Sequence, residues 1–137
     1  MVIADSGDVK VSGSTLDLIG EAITESISRR NDPAVRNQVL YIHSTVFTQK
    51  QLLGYARAAA PERTIKTITV DTEKVAEAAW EKYDAGERDM DALRPLMLRT
   101  SFGLGLGVFK QVNNDVLGLS MLTDSEVEAL VAKVRKS

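Results

Sequence analysis

"SFGLGLGVF", residues 101–109, decides between two folds. Its three glycines, Gly103, Gly105 and Gly107, alternate with apolar residues. Such a run either cradles the phosphates of a nucleotide or lets backbones pack closely. A dinucleotide fingerprint needs glycines at its first, third and sixth positions, directly between a strand and a helix, with an acidic residue about 20 further on. Gly103 and Gly105 fit the first two, but Val108 takes the sixth. The stretch also follows a helical pattern rather than a strand, and "NND" (113–115), a helix stopper, comes after it. Too little chain remains for a nucleotide-binding βαβ pair, and no Gly-Lys-Ser/Thr follows to make a P-loop. The surviving reading is a glycine-rich helix exit with close backbone packing. With it goes an α+β fold, not a doubly wound nucleotide-binding one.

Working outward from the glycines, a helix is expected over about 91–100, with Pro95 tolerated because a first helical turn lacks intrahelical N–H partners. Before it, 72–85 aligns Val75, Ala76, Ala79, Trp80 and Tyr83 on one stripe. Strands are expected at 7–13, 38–44 and 63–71. In 38–44, Val39, Tyr41 and His43 face one way and Leu40 and Ile42 the other. Residues 14–30 read as a helix with Leu16, Ile19, Ile23 and Ile27 on one apolar stripe and a capping box between Ser14 and Asp17. A second box, Thr48 with Gln51, opens a helix at 49–60 that Pro61 ends. A third, Thr123 with Glu126, opens the last helix, whose stripe is Val127, Leu130, Val131 and Val134. After the glycines, 112–119 reads as loop. The expectation is one helix-rich domain over 1–137 with a short sheet of about three strands.

Composition narrows the function. The chain has 137 residues, enough for one domain with a core. Its 17 Lys and Arg against 19 Asp and Glu leave a net charge of -2. That balance argues against nucleic acid as a partner, since a phosphate-facing surface is strongly basic. The absence of cysteine removes disulfides, thiolate metal sites and cysteine nucleophiles, and agrees with a reducing compartment. A single histidine, His43, argues against a zinc site, so no metal is expected. No apolar run approaches the roughly 20 residues that span a bilayer, and "MVIADSGDVK" (1–10) lacks the pattern of a secretory signal. A cytoplasmic protein with no membrane partner is expected.

Taken in order, the segments resemble a known family. "TLDLIG" (15–20), with Thr15, Ile19 and Gly20, is similar to the Thr-x-x-Asp-Ile-Gly helix start of NmrA-like, isoflavone-reductase-like proteins. Asn37, Val39, Tyr41 and Ile42 match the strand that follows there, and Thr48 a helix start. The Gly103–Gly107 and Leu117–Leu119 patches match two late patches. The resemblance runs over roughly 7–136 and covers only the C-terminal, substrate-binding part of these atypical short-chain dehydrogenase/reductases. The Rossmann half, with its glycine fingerprint and catalytic lysine or tyrosine, has no counterpart here. The resemblance therefore implies no NAD(P)H reductase activity and no cofactor. It implies instead a hydrophobic small-molecule substrate, as for its many fungal members. A face shaped to pack on a missing half also implies a homodimer.

Candidate residues follow from the chemistry that remains, which is proton transfer and positioning. His43, with Tyr41 on the same strand face, is the candidate acid–base pair, against a reading of His43 as a strand-end residue satisfied locally. Arg99 is the candidate for stabilising a phenolate or enolate, with Lys110 flanking the other side of the glycines; solvated surface charge is the alternative. Trp80 and Tyr83 would wall an aromatic substrate, unless their stripe is core. Met97, Phe102, Leu104 and Phe109 would form a flexible apolar lid. The expected function is a cofactor-independent cyclase, isomerase or lyase of secondary metabolism that closes a ring on an aromatic substrate, for example by adding a phenol O–H across an alkene. The alternative is a non-catalytic ligand-binding or regulatory remnant, or a fragment, of an NmrA-like reductase.

Overall fold

The structure, a computed structural model, describes residues 1–134. Among them the chain runs β1 (Val2–Ala4), β2 (Lys10–Gly13), α1 (Leu16–Ser28), β3 (Thr45–Thr48), α2 (Gln49–Ala58), β4 (Ile68–Val70) and α3 (Thr72–Asp84). It continues through α4 (Met90–Leu98), a π-helical turn (Arg99–Gly103), α5 (Asn114–Leu117) and α6 (Asp124–Val134). The fold is α+β. Its strands form two separate pairs rather than one sheet of three. β1 runs parallel to β4 with Val2 beside Ile68, and β2 runs antiparallel to β3 with Val11 beside Phe47.

Capping chemistry sets several helix starts. Thr48 accepts from the Gln51 amide while the Gln51 side chain returns a bond to the Thr48 N–H, so both expected partners close the box on α2. Thr123 and Glu126 do the same for α6. At α1 the expected Ser14 is displaced by Thr15, whose hydroxyl accepts from the Leu18 amide. Asp71 and Asp89 cap α3 and α4.

Three further expectations are corrected. Residues 38–44 belong to no sheet; the strand starts at Thr45. The reason is that Asn113 and Asn114 occupy the backbone groups that a neighbouring strand would take. Asn113 Oδ1 accepts from the Tyr41 N–H (2.9 Å) and the Asn113 N–H donates to the Tyr41 carbonyl (2.7 Å). Asn114 donates to the His43 carbonyl (2.9 Å) and accepts from its N–H (3.1 Å). The period-2 pattern survives in part, because Leu40 and Ile42 pack on the core while Val39 and Tyr41 are exposed. In α1 the buried residues are Leu18 and Ala22, whereas Leu16, Ile19, Ile23 and Ile27 face outward. Pro95 lies in the second turn of α4, not the first, because the helix already starts at Met90. It withholds the N–H that would bond the Asp91 carbonyl, and four residues later, at Arg99, the π-helical turn begins.

The core joins Leu18 and Ala22 of α1 to Val35, Leu117 and Leu119. Residues 112–119, expected as loop, contain the single turn α5, stopped by Gly118 in the left-handed region (φ 72°). Ala76 and Ala79 of α3 and Ala92 of α4 are buried where these helices pack, and their small side chains permit a close approach. On α6 Val127 is buried and Leu130 half-exposed; the Val134 side chain lies outside the described residues.

The glycines of 101–109 sit where backbones meet side chains from other elements. A Cβ on Gly103 would collide with the Thr72 hydroxyl at the start of α3, and one on Gly107 would come within 2.7 Å of Val11. Gly105 has φ 67°, which side-chain-bearing residues rarely adopt. The Gly107 carbonyl accepts from the Ser12 N–H (2.8 Å), so the segment lines the free edge of β2. Close packing accounts for Gly103 and Gly107, and the left-handed backbone for Gly105.

Candidate functional site

The residues singled out in the sequence separate into three places. Met97 and Phe102 line a cavity of about 530 Å³ between the β1–β4 pair and the α4–π-turn segment. Its wall is otherwise Val2, Val70, Val75, Pro95 and Leu98, with Arg94 and Ser101 as the polar members. Two sequence features build it. Pro95 leaves one hydrogen bond of α4 unmade, and the π turn that follows the helix carries Phe102 on the wall with Met97. Val2 and Val70 belong to one sheet face, since Val2 pairs with Ile68 and Ala4 with Val70.

Tyr41, Phe109 and Lys110 line a second cavity of about 390 Å³ with Gln111. The Tyr41 and Phe109 rings lie 5.3 Å apart at 47°. His43 stands behind this wall, 5% exposed, and its Nδ1 shares a 2.9 Å hydrogen bond with Ser12 Oγ. The Phe109 N–H also donates to Ser12 Oγ (3.2 Å). The chain His43–Ser12–Phe109 therefore links the buried imidazole to the aromatic wall. Beyond the backbone clamp by Asn114, His43 is positioned by β2 through Ser12.

Trp80 and Tyr83 pair with each other, centroids 5.6 Å apart and nearly perpendicular, and the Arg88 guanidinium covers Tyr83 at 4.9 Å. Trp80 is half exposed and lines neither cavity. Leu104 is exposed and lines neither as well. Arg99 is held by Glu73, with Nε 2.6 Å and Nη2 2.9 Å from its carboxylate oxygens. This bidentate pair raises the guanidinium pKa further and commits its fork to α3. His43, Tyr41 and Arg99 thus do not form one constellation: the first two adjoin Phe109, while Arg99 ties the π turn to α3.

Sequence reasoning passed over several residues that position these sites. Asn113 and Asn114 hold the Tyr41–His43 backbone, and Ser12 holds the imidazole. Asp5, at the end of β1 with φ 48°, accepts from both the Thr72 N–H (2.9 Å) and hydroxyl (2.6 Å). The Thr72 hydroxyl, followed by its amide, draws the Asp5 pKa below the ordinary carboxylate value. A third cavity, about 500 Å³ between α1 and α6, also went unforeseen; Leu18, Leu122 and Leu130 line it together with Asp17 and Glu21. Such side-chain contacts across 30 to 70 residues leave no local pattern to read. Among the described residues no three His, Cys, Asp or Glu side chains converge as metal ligands, and no helix is long and apolar enough to cross a membrane. No protein-family model, no curated protein and no solved structure matches the chain.

Proposed function

We propose that the chain is a binding module for an apolar small molecule, seated in the 530 Å³ cavity over the β1–β4 pair. The observation that carries this reading is the cavity's lining, seven apolar side chains with one arginine and one serine. Ligand sites are typically concave, mainly apolar and furnished with a few orienting polar groups, in the size range of roughly 300–1,000 Å³. The resemblance to NmrA-like substrate-binding parts supports the same ligand class and a second copy of the chain as partner. The α1–α6 cavity is a weaker candidate for an apolar ligand, because its wall carries exposed carboxylates that such a ligand would leave unpaired.

Two methionines on α4 give the test. Met97 and Met90 are 59% and 58% exposed, and only Met97 lines the cavity. Titration with an environment-sensitive naphthalene probe should saturate. Met97→Asp should weaken binding at least tenfold, about 1.4 kcal/mol, while Met90→Asp leaves it unchanged. Equal effects of the two, or no saturation, would sink the reading.

A second reading keeps proton-transfer chemistry, and the His43–Ser12–Phe109 chain favours it. In this reading a phenol bearing an alkene sits in the Tyr41–Phe109–Lys110 cavity. Its O–H and the C=C π bond break, new C–O and C–H bonds form, and the imidazole relays the proton through Ser12. Ring closure in D₂O would then place one deuterium on the carbon protonated from solvent, and His43→Asn would slow closure about 100-fold. A product without carbon-bound deuterium, or an unimpaired variant, excludes the relay.

A further inference from the structure

We propose that the cavity of about 500 Å³ between α1 and α6 is a second binding site, and that it takes a small organic cation. Its ligand would be an ammonium on an apolar body that also carries a hydrogen-bond acceptor. The site shares no lining residue with the apolar cavity over the β1–β4 pair, so it goes beyond the reading given above. Leu18, Leu122, Ala129 and Leu130 supply its apolar surface. That surface would hold the body of a ligand, and the polar groups around it specify what the body must carry.

The sign of the ligand comes from α1. Asp17 and Glu21 stand about one helical turn apart and both line the cavity. Neither side chain makes an ion pair or a hydrogen bond with any described residue. Glu126 adds a third carboxylate, held by the Thr123 amide and hydroxyl, which are neutral donors and leave its charge in place. Lys133 is the single cation among the described lining residues, and it has a partner of its own. Three negative charges against one positive make the wall anionic. All four side chains belong to exposed residues, where ion pairs contribute little to affinity. The carboxylates therefore discriminate by charge, and the apolar contacts hold the ligand.

The acceptor follows from a count of hydroxyl protons. Ser44, 1% exposed, and Thr15 both line the cavity. Ser44 Oγ accepts from the Thr15 N–H (3.0 Å), and Thr15 Oγ1 accepts from the Leu18 N–H (3.2 Å). The two hydroxyl oxygens lie 3.3 Å apart. Between them they carry two protons, and their mutual contact uses one. The other has no acceptor among the described residues, whichever hydroxyl donates. A buried donor without a partner is costly, and the open side here is the cavity. Ser44 is also fixed in place, since its N–H donates to the Gly13 carbonyl and its carbonyl accepts from the Leu122 N–H, both at 2.8 Å. An ether or carbonyl oxygen of the ligand would take the spare proton without any rearrangement of the wall.

Four compounds of one shape separate these features: 3-phenoxypropylamine, 3-phenoxypropanol, 3-phenoxypropanoate and 4-phenylbutylamine, the last with a methylene in place of the ether oxygen. Backbone amide resonances of the isotope-labelled chain should shift at residues 15–21, 44 and 126–130 on addition of 3-phenoxypropylamine, and the shifts should saturate. Its dissociation constant should lie roughly fivefold or more below those of the alcohol and the carboxylate. It should lie roughly twofold or more below that of 4-phenylbutylamine, the scale of one neutral hydrogen bond. Asp17→Asn combined with Glu21→Gln changes two exposed side chains. It should erase the preference for the amine over the alcohol, with the alcohol's affinity and the melting transition retained. Met97→Asp, in the other cavity, should leave all four constants as they are, so failure there and failure here are separate results. Absence of saturation, or shifts confined to Met97 and Phe102, overturns the site. Equal affinity for amine and alcohol, or a preference that survives the double variant, overturns the cation. Equal affinity for 4-phenylbutylamine and its ether overturns the acceptor.

Discussion

Asn114 shows how much one side chain decides. It is 4% exposed and satisfies both backbone groups of His43, an arrangement ordinarily supplied by a neighbouring strand. Asn114→Ala would strand a buried N–H and a buried carbonyl together. Leaving such groups unpaired costs about 1–3 kcal/mol each. Urea denaturation should therefore show a loss on the order of 2–6 kcal/mol, larger than for Asn113→Ala, whose partner Tyr41 lies at the surface. A change below about 0.5 kcal/mol, the usual scale of a surface substitution, would mean that the clamp contributes nothing. The sequence displays "NND" as a local helix stopper, and that is all a local pattern can say. What the two amides do depends on a segment 71 or 72 residues away.

Among the elements, legibility follows the range of the interaction that forms them. The capping boxes at Thr48 and Thr123 span three residues and were readable, as were the helices they open. So was the α+β class, since both periodicities are present in the chain. The faces were not. In α1 the strongest apolar stripe, from Leu16 to Ile27, points outward, and the weaker Leu18 and Ala22 face the core. Periodicity reveals that a helix has an apolar side, but what lies opposite is a tertiary fact. β1 was missed because three residues carry no period at all. The candidate site divides the same way. Met97 and Phe102 were identifiable as apolar residues around the glycines, and the structure places both on one wall. Arg99 and Trp80 matched the chemistry by type, yet their contacts with Glu73 and Tyr83 take them elsewhere.

At the scale of the molecule, three carboxylates tie the elements together, and all three have lowered pKa values. Asp5 joins β1 to α3 through Thr72, Asp8 joins the β1–β2 turn to α2 through Lys50, and Glu126 caps α6 through the Thr123 amide and hydroxyl. A carboxyl whose folded pKa lies below its unfolded value adds stability above the unfolded pKa and loses it as pH falls through the folded one. The contribution is therefore complete above about pH 4.5, the ordinary range of these groups, and disappears below it. Unfolding free energy should stay level from pH 7 to about 5 and fall as pH drops from about 4 toward 2. Asp5→Asn should make that fall shallower, and a profile unchanged by the substitution would remove Asp5 from the account. The two strand pairs add a different property of the whole. Gln49 spends its amide on the flank of β1, where it occupies the Ala4 N–H and the Val2 carbonyl that another strand would need. In the vocabulary of polymer chemistry, a monomer with two reactive ends propagates, and one with a single reactive end couples once and stops. The glutamine takes one of the two ends of the β1–β4 pair out of that chemistry, so strand addition to this pair cannot propagate from both flanks.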